Sequence, residues 1–351
     1  MTCDQRIAVV GAGLVGRRHI DHVQSHARLD AVVDPSEEAR ELAREIGAAW
    51  YPGLGAYLPR SRADGVIIAT PNRVHADQAL AIIEQGLPVL VEKPITANAH
   101  EGARLVSEAE HAGVPLLVGH HRRHNPLIAA AKAAVESGRL GRIALANAQF
   151  WLHKPDGYFA ESWRRQAGAG PVYINLIHDL DLLRHLCGEI VAVSARESNQ
   201  ARGFEVEDTA VILLEFASGA LGTVSLSDSV VAPWSWEFAS GENPAYPKTN
   251  VPSMMIGGTH GALSIPDLTV WTQPNGRDWW KPIQSETLEH APADPLICQL
   301  QNFLAVIRGD ESPLVSGRDG LQSLIAVEAV KRAAETGMRV ALRVPDVASA
   351  P

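Results

Sequence analysis

Residues 6–16 read RIAVVGAGLVG, a short apolar and β-branched run that ends in glycine and continues as G-x-G-x-x-G. The run predicts a strand and the residues after it a helix, so Gly11, Gly13 and Gly16 fall at a strand-to-helix turn. Gly11 permits the tight turn and Gly13 lets a diphosphate approach the backbone. Gly16 lets helix and strand pack closely, and the helix start offers free N–H groups and a positive dipole end. Beyond it, where a second strand (LDAVVD) ends, stands Asp34. A carboxylate there accepts ribose hydroxyls and repels a 2′-phosphate, which favours NAD; Arg17 and Arg18 nearby keep NADP open. Candidate cofactor contacts therefore begin with Gly11, Ala12, Gly13, Leu14, Val15, Gly16 and Asp34.

The alternation continues outward from that turn. The charged helix SEEARELAREIG, the strand DGVIIAT, a helix over Arg73–Gln85, the strand LPVLVEK, a helix over Asn98–His111 and the strand VPLLVGH follow in order. Ala76, Ala79, Leu80 and Ile83 share one helix face, and NAHE (Asn98–Glu101) reads as a helix cap with an acid three residues on. Short apolar runs between helices are what a parallel sheet buried on both faces requires.

Composition agrees with a small-molecule protein. The chain has 351 residues, 46% hydrophobic and 20% charged, which suits about two globular domains. Cys3, Cys187 and Cys298 show no paired spacing and read as reduced thiols of a cytoplasmic protein. No apolar stretch approaches the ~20 residues of a membrane span. The net charge of −9 opposes a nucleic-acid partner.

In such a sheet, ligands bind beyond the carboxyl ends of the strands. There stand TPNRVH (Thr70–His75), EKP (Glu92, Lys93, Pro94) and GHHRRHNP (residues 119–126), all expected to crowd around one cofactor, with Glu92, Lys93, Pro94 and His121 beside it. Lys93, locked by a following proline, is placed to reach a substrate. The clustered cations of GHHRRHNP suit a pocket wall for a hydroxylated substrate that carries a carboxylate. His121 and Arg122 are the expected contacts and His124 the cap of the next helix. Nothing in the sequence demands a further ligand, so no metal is expected.

From about residue 140 the pattern changes to strands joined by tight turns. RIALANAQFWL, VAVSARES, EDTAVILLEFASGALGTVSLSDSV, GALSI and LTVWT are strands, with a hairpin at Ser218-Gly219. Helices are expected over Tyr173–Leu186, Pro295–Arg308 and Gly317–Gly337. This makes an α+β, mainly antiparallel second domain, and the chain divides into residues 1–123 and 124–351. One sheet face carries apolar and aromatic residues, as an interface between subunits or a substrate roof does. On the first helix, Asn175, His178, Asp181 and Arg184 recur every three residues, a polar stripe in an apolar pattern. It faces water, with an Asp181–Arg184 pair, or a site.

The glycine turn, EKP, WR (Trp163-Arg164) and a glycine-led helix with IHDLD together resemble the Gfo/Idh/MocA oxidoreductases, over essentially the whole chain. The resemblance implies an N-terminal Rossmann domain, a C-terminal open-faced sheet domain, and NAD(P) chemistry on a hydroxyl of a sugar, polyol or related cyclic compound. It also implies dimers or tetramers. By it, Lys93 polarises the reacting oxygen and His178 exchanges its proton. Trp163 and Arg164 lie near the nicotinamide, and Thr70, Pro71, Asn72 and His75 line its ribose. Many members place an aspartate four residues before the histidine; here Ile174 holds that position and Asn175 follows it. An amide orients a hydroxyl but does not hold a proton, so the transfer rests on His178 and Lys93, with Asp179 and Asp181 as further carboxylates.

The expected reaction is reversible oxidation of a secondary alcohol. Alternatives are a dihydrodiol dehydrogenase, an NAD-dependent glycosidase and a non-catalytic NAD-binding sensor; the presence of Lys93 and His178 disfavours the last. Trp151 and Tyr246 complete the expected substrate contacts. The loops Glu237–Met255 and Arg277–Pro282 are expected to close the pocket, with Asn243 and Lys248 as donors. Trp279 and Trp280 stack on a ring or pack at the sheet edge.

Overall fold

A strand covered on both faces needs no polar alternation, and the short apolar runs of the first third become such strands. The computed structural model describes residues 4–166 and 168–345; Cys3 lies outside them. Strands β1 (Arg6–Val10), β2 (Arg28–Val33), β3 (Trp50–Tyr51), β4 (Gly65–Ile68), β5 (Val89–Val91) and β6 (Leu116–Val118) form one parallel sheet. Its order is β3-β2-β1-β4-β5-β6. The winding reverses between β1 and β4, the switch point beyond which doubly wound sheets bind ligands.

Helices α1 (Leu14–His26), α2 (Glu37–Glu45), α3 (Leu54–Tyr57), α4 (His75–Ile83) and α5 (Ala99–Ala112) connect these strands. Ser36 accepts the Ala39 N–H to start α2. At α5, Asn98 accepts the Glu101 N–H and donates to its carboxylate, the reciprocal cap expected of NAHE. The helix expected from Arg73 begins as a 3-10 turn, Asn72–Val74, before α4.

The second sheet has nine strands: β7 (Ile143–Trp151), β8 (Ile190–Ser198), β9 (Thr209–Phe216), β10 (Leu221–Ser227), β11 (Met254–Gly258), β12 (Gly261–Ile265), β13 (Thr269–Thr272), β14 (Gln284–Thr287) and β15 (Val340–Ala341). The order is β14-β13-β12-β11-β7-β10-β9-β8-β15, antiparallel except between β7 and β10. The hairpin at Ser218-Gly219 joins β9 to β10 as expected. Part of the expected closing loop is structured instead, as α8 (Trp236–Ser240) and β11.

Ala146, Ala148 and Phe150 alternate inward from β7 and share a core with α6 (Pro126–Glu136), α7 (Ile177–Cys187) and the later part of α10 (Gly317–Thr336). Asn125 starts α6 by accepting the Leu127 N–H. His124, expected in that role, closes the preceding 3-10 turn (His121–His124); the short amide of Asn125 suits a cap better.

Two compact units result. One takes the chain as far as His124, Ala293–Leu324 and the residues from Val344; the other takes Asn125–Pro292 and Ile325–Arg343. The chain thus crosses back after the single division expected near residue 123. The cause is α9 (Pro295–Arg308), whose Leu300, Phe303, Leu304 and Val306 are buried with Ile7, Val9 and Ile67. No helix among the described residues is long and apolar enough to cross a membrane.

Candidate active site

Strand register gathers the marked loops of the first unit. The Gly11 N–H donates to Val33 O at 2.8 Å, Ala69 to Val10 at 2.7 Å, Glu92 to Ile68 at 2.8 Å and Gly119 to Val91 at 2.8 Å. The strands leading to the glycine turn, Asp34, Thr70, Lys93 and His121 therefore end side by side.

Two of the three glycines are demanded by the fold itself. Gly11 has φ 92°, and a Cβ there would lie 2.6 Å from Ala69 O. At Gly16 a Cβ would lie 2.0 Å from Gly11 O. Gly13 is different: its φ is −69° and no atom lies within 4 Å of the missing Cβ. The protein leaves that space bare, with Leu14 and Val15 exposed beside it. Helix α1 has neither a side-chain cap nor an acid in its first turn, so its leading N–H groups suit an anion.

Ala12 is committed within the protein: its N–H donates to Asp34 Oδ2 at 2.8 Å and its carbonyl accepts Arg17 Nε at 3.2 Å. Asp34 Oδ1 accepts the Ser36 N–H at 2.8 Å and hydroxyl at 2.6 Å. Burial works to raise the Asp34 pKa, but the Ser36 hydroxyl, both N–H donors and Arg17 hold it below the ordinary value. It is a fixed carboxylate at neutral pH.

Around β4 and β5 the contacts are structural and close. Thr70 donates its hydroxyl to Gln78 Oε1 at 2.6 Å, while Pro71 and Asn72 are exposed. His75 is 1% exposed, its ring nitrogens 2.9 Å from Pro94 O and 2.8 Å from Thr70 O. Burial lowers its pKa against those two carbonyls. His75 thus ties the Thr70 loop to the EKP loop.

Glu92 Oε1 meets His19 Nε2 at 2.8 Å, and Oε2 accepts the Lys93 N–H at 3.2 Å. Burial works to raise Glu92, yet the His19 bond and the charges of His19, His121 and Lys93 prevail and its pKa is lowered. A Cβ on Gly119 would fall 2.8 Å from this carboxylate, so the pair is closely walled. Lys93 is half-buried on a backbone that Glu92 pins. In GHHRRHNP, His121 is half-buried, but Arg122 and Arg123 are buried. Arg123 pairs with Asp319 at 3.0 Å.

In the second unit, His178 leads a buried stripe rather than a solvated one: His178, Asp179, Asp181 and Arg184 are all under 9% exposed. Arg184 forks onto Glu189 at 2.9 and 2.8 Å and lies 3.9 Å from Asp181, so the pair expected there exists in weak form. A π-helical turn, Val172–Leu176, precedes α7. Glu207 accepts its Val172 N–H at 3.1 Å, and Lys331 holds Glu207 at 2.9 Å. π-Turns often mark functional helices. Asn175, within this turn, accepts Lys154 Nζ at 3.0 Å.

Arg164 donates to Tyr158 O at 2.8 Å with its guanidinium 4.1 Å from the Tyr158 ring, and Trp163 beside it is half-exposed. Trp151 is not brought to this group. It shares the open sheet face with Asn147 and Ser225, donating to Ser225 Oγ at 3.0 Å, whereas α7 packs on the core face. Tyr246 packs edge-on to Phe238 at 5.9 Å, and Trp279 and Trp280 are 87% and 84% exposed.

His19, Lys154 and Glu207 did not announce themselves in the sequence. Only His19 carried a local signal, as a polar residue on the helix face that buries Gly16, Ile20 and Val23.

A doubly wound sheet whose glycine turn keeps a bare backbone, with a fixed acid after β2 and a pinned lysine after β5, defines a dinucleotide-binding oxidoreductase. The chain belongs to the GFO/IDH/MocA family. Residues 5–120 match its oxidoreductase model with an NAD-binding Rossmann fold, and residues 128–264 match its C-terminal domain. It is similar to scyllo-inositol 2-dehydrogenase (NAD(+)) of Bacillus subtilis, 28% identical over 97% of this chain and 96% of that protein. Inositol 2-dehydrogenase 4 of Saccharopolyspora erythraea is 35% identical over 63% of this chain; the match spans 66% of that relative's length. Among solved structures, the WlbA dehydrogenase of Bordetella pertussis in complex with NADH and UDP-GlcNAcA superposes with a TM-score of 0.77. It is 28% identical, covering 97% of this chain and all of that one.

Proposed function

We propose that this oxidoreductase reversibly oxidises a secondary hydroxyl of a sugar, polyol or sugar acid, with NAD as the partner. The observation that carries this reading is Lys93, half-buried at the end of β5 on a backbone pinned by the buried Glu92–His19 pair. NAD would be held by the bare backbone of Gly13–Gly16 and by Asp34, and when bound it supplies the hydride acceptor. The ionised Asp34 favours NAD over NADP by repelling a 2′-phosphate.

Lys93 binds the substrate oxygen and stabilises its developing negative charge. His178 takes the hydroxyl proton as the general base. Asn175 orients that oxygen, with His121, Arg122 and Tyr246 as further contacts. Trp163 and Arg164 belong to the cofactor side. Two of the similar proteins are named for inositol, and UDP-GlcNAcA accompanies the WlbA structure, which supports a hydroxylated ring as the substrate class. A second copy of this chain covers the open sheet face.

The test is NADH formation from NAD+ with inositols, aldoses, sugar acids and cyclic diols in turn. The expected result is sustained NADH release with one ring class. A protein that binds NAD yet reduces it with none of them would overturn the reading.

A further inference from the structure

We infer that Lys154 is a positioning residue that acts through Asn175, fixing and polarising the amide so that its Nδ2 group donates to the substrate oxygen. The inference rests on the function proposed above and adds a residue to it.

Lys154 follows β7 and is 7% exposed. Its Nζ donates to Asn175 Oδ1 at 3.0 Å and lies 3.5 Å from Asp228 Oδ2. The backbone is held as firmly: its N–H donates to Asp228 O at 2.8 Å, and its carbonyl accepts Arg202 Nη2 at 2.8 Å. Arg202 also binds Asp228 Oδ1 at 3.1 Å, and the Tyr158 ring lies 5.0 Å from the ammonium. One buried carboxylate therefore serves two cations, and the lysine is held through both its side chain and its backbone.

An ammonium only donates. Its contact decides which end of the amide faces it: Oδ1 toward Lys154, Nδ2 away. Among the described residues no protein acceptor meets Nδ2, and Asn175 is half-buried rather than sealed. Both Nδ2 hydrogens are left for an oxygen ligand, on the turn that runs directly into the helix bearing His178. Hydrogen bonds in series polarise one another, so a cation on Oδ1 makes Nδ2 a stronger donor to a developing alkoxide. Burial pushes the Lys154 pKa down, while Asp228 and Glu237 push back. The residue type at 175 thereby makes sense: an aspartate there would be neutralised by Lys154, whereas an asparagine passes its field on.

The test has two arms. In protein labelled with 15N-asparagine, the Asn175 side-chain NH2 pair, identified by its loss in Asn175→Ala, should shift in Lys154→Met more than any other asparagine pair. In NADH assays with the best ring compound of the panel, Lys154→Met should lower kcat roughly tenfold to a hundredfold with KM changed far less. The double variant with Asn175→Ala should be no slower than the worse single. Lys154→Gln keeps a neutral donor to Oδ1 and serves if the Met variant fails to fold; it should retain the NH2 position and recover part of kcat.

An NH2 pair unmoved by Lys154→Met, or losses that multiply in the double variant, would overturn the inference. If no compound yields NADH with the unmutated protein, the proposed function fails and donation to substrate fails with it. The NMR arm still decides whether Lys154 orients the amide.

Discussion

Gly13 and Gly16 share one turn but answer to different demands. A Cβ at Gly16 would press on Gly11 O at 2.0 Å, while one at Gly13 would meet nothing within 4 Å. Gly16→Ala should therefore cost at least about 1–3 kcal/mol of stability, seen as a lowered thermal midpoint. Gly13→Ala should leave the midpoint in place and weaken NAD about tenfold, or about 1.4 kcal/mol, in calorimetric titration. Equal effects of the two on stability would refute the division of labour. The glycines, Asp34 and Lys93 were legible because a strand, a turn and a helix fix their surroundings within a few residues. His19 and Lys154 were not, because their partners Glu92 and Asn175 lie far away in sequence.

Among elements, those with a period declared themselves and those made by distant partners did not. Strands β1, β4 and β9 and helix α5 follow from apolar runs and a cap. The four exposed residues of β14 and the two of β15 carry no such pattern; they are strands only because β13 and β8 offer them an edge. The π-turn before α7 is likewise set by Glu207 and Lys331, which no local spacing announces. Helix α9 was foreseen as a helix but not as part of the first unit, since its amphipathic pattern does not say which core it joins. Phe303, 0% exposed, marks that choice. Phe303→Ala should cost about 3–5 kcal/mol in urea unfolding; a loss below about 1 kcal/mol would mean that α9 is dispensable to the first unit.

For the whole molecule, the nine-stranded sheet leaves Leu145, Val211, Leu213 and Leu221 at 55%, 55%, 59% and 56% exposure on neighbouring strands. Apolar rows of this kind mark interfaces. With a second copy on this face, Leu145→Glu combined with Leu213→Glu should lower the mass measured by light scattering to that of one chain. An unmutated protein that already runs as one chain would contradict it. The fold class and the kind of cofactor were legible at this scale, whereas a substrate is chosen by individual side chains that no periodic pattern announces. The central claim is that Lys93 serves the chemistry and not the binding of NAD. It is tested most directly by titrating NAD into Lys93→Met and assaying the same protein with the ring compound that the unmutated enzyme oxidises. The account predicts NAD affinity close to the unmutated value with kcat reduced by about 10²–10⁴; near-normal turnover in a protein lacking that lysine would contradict it.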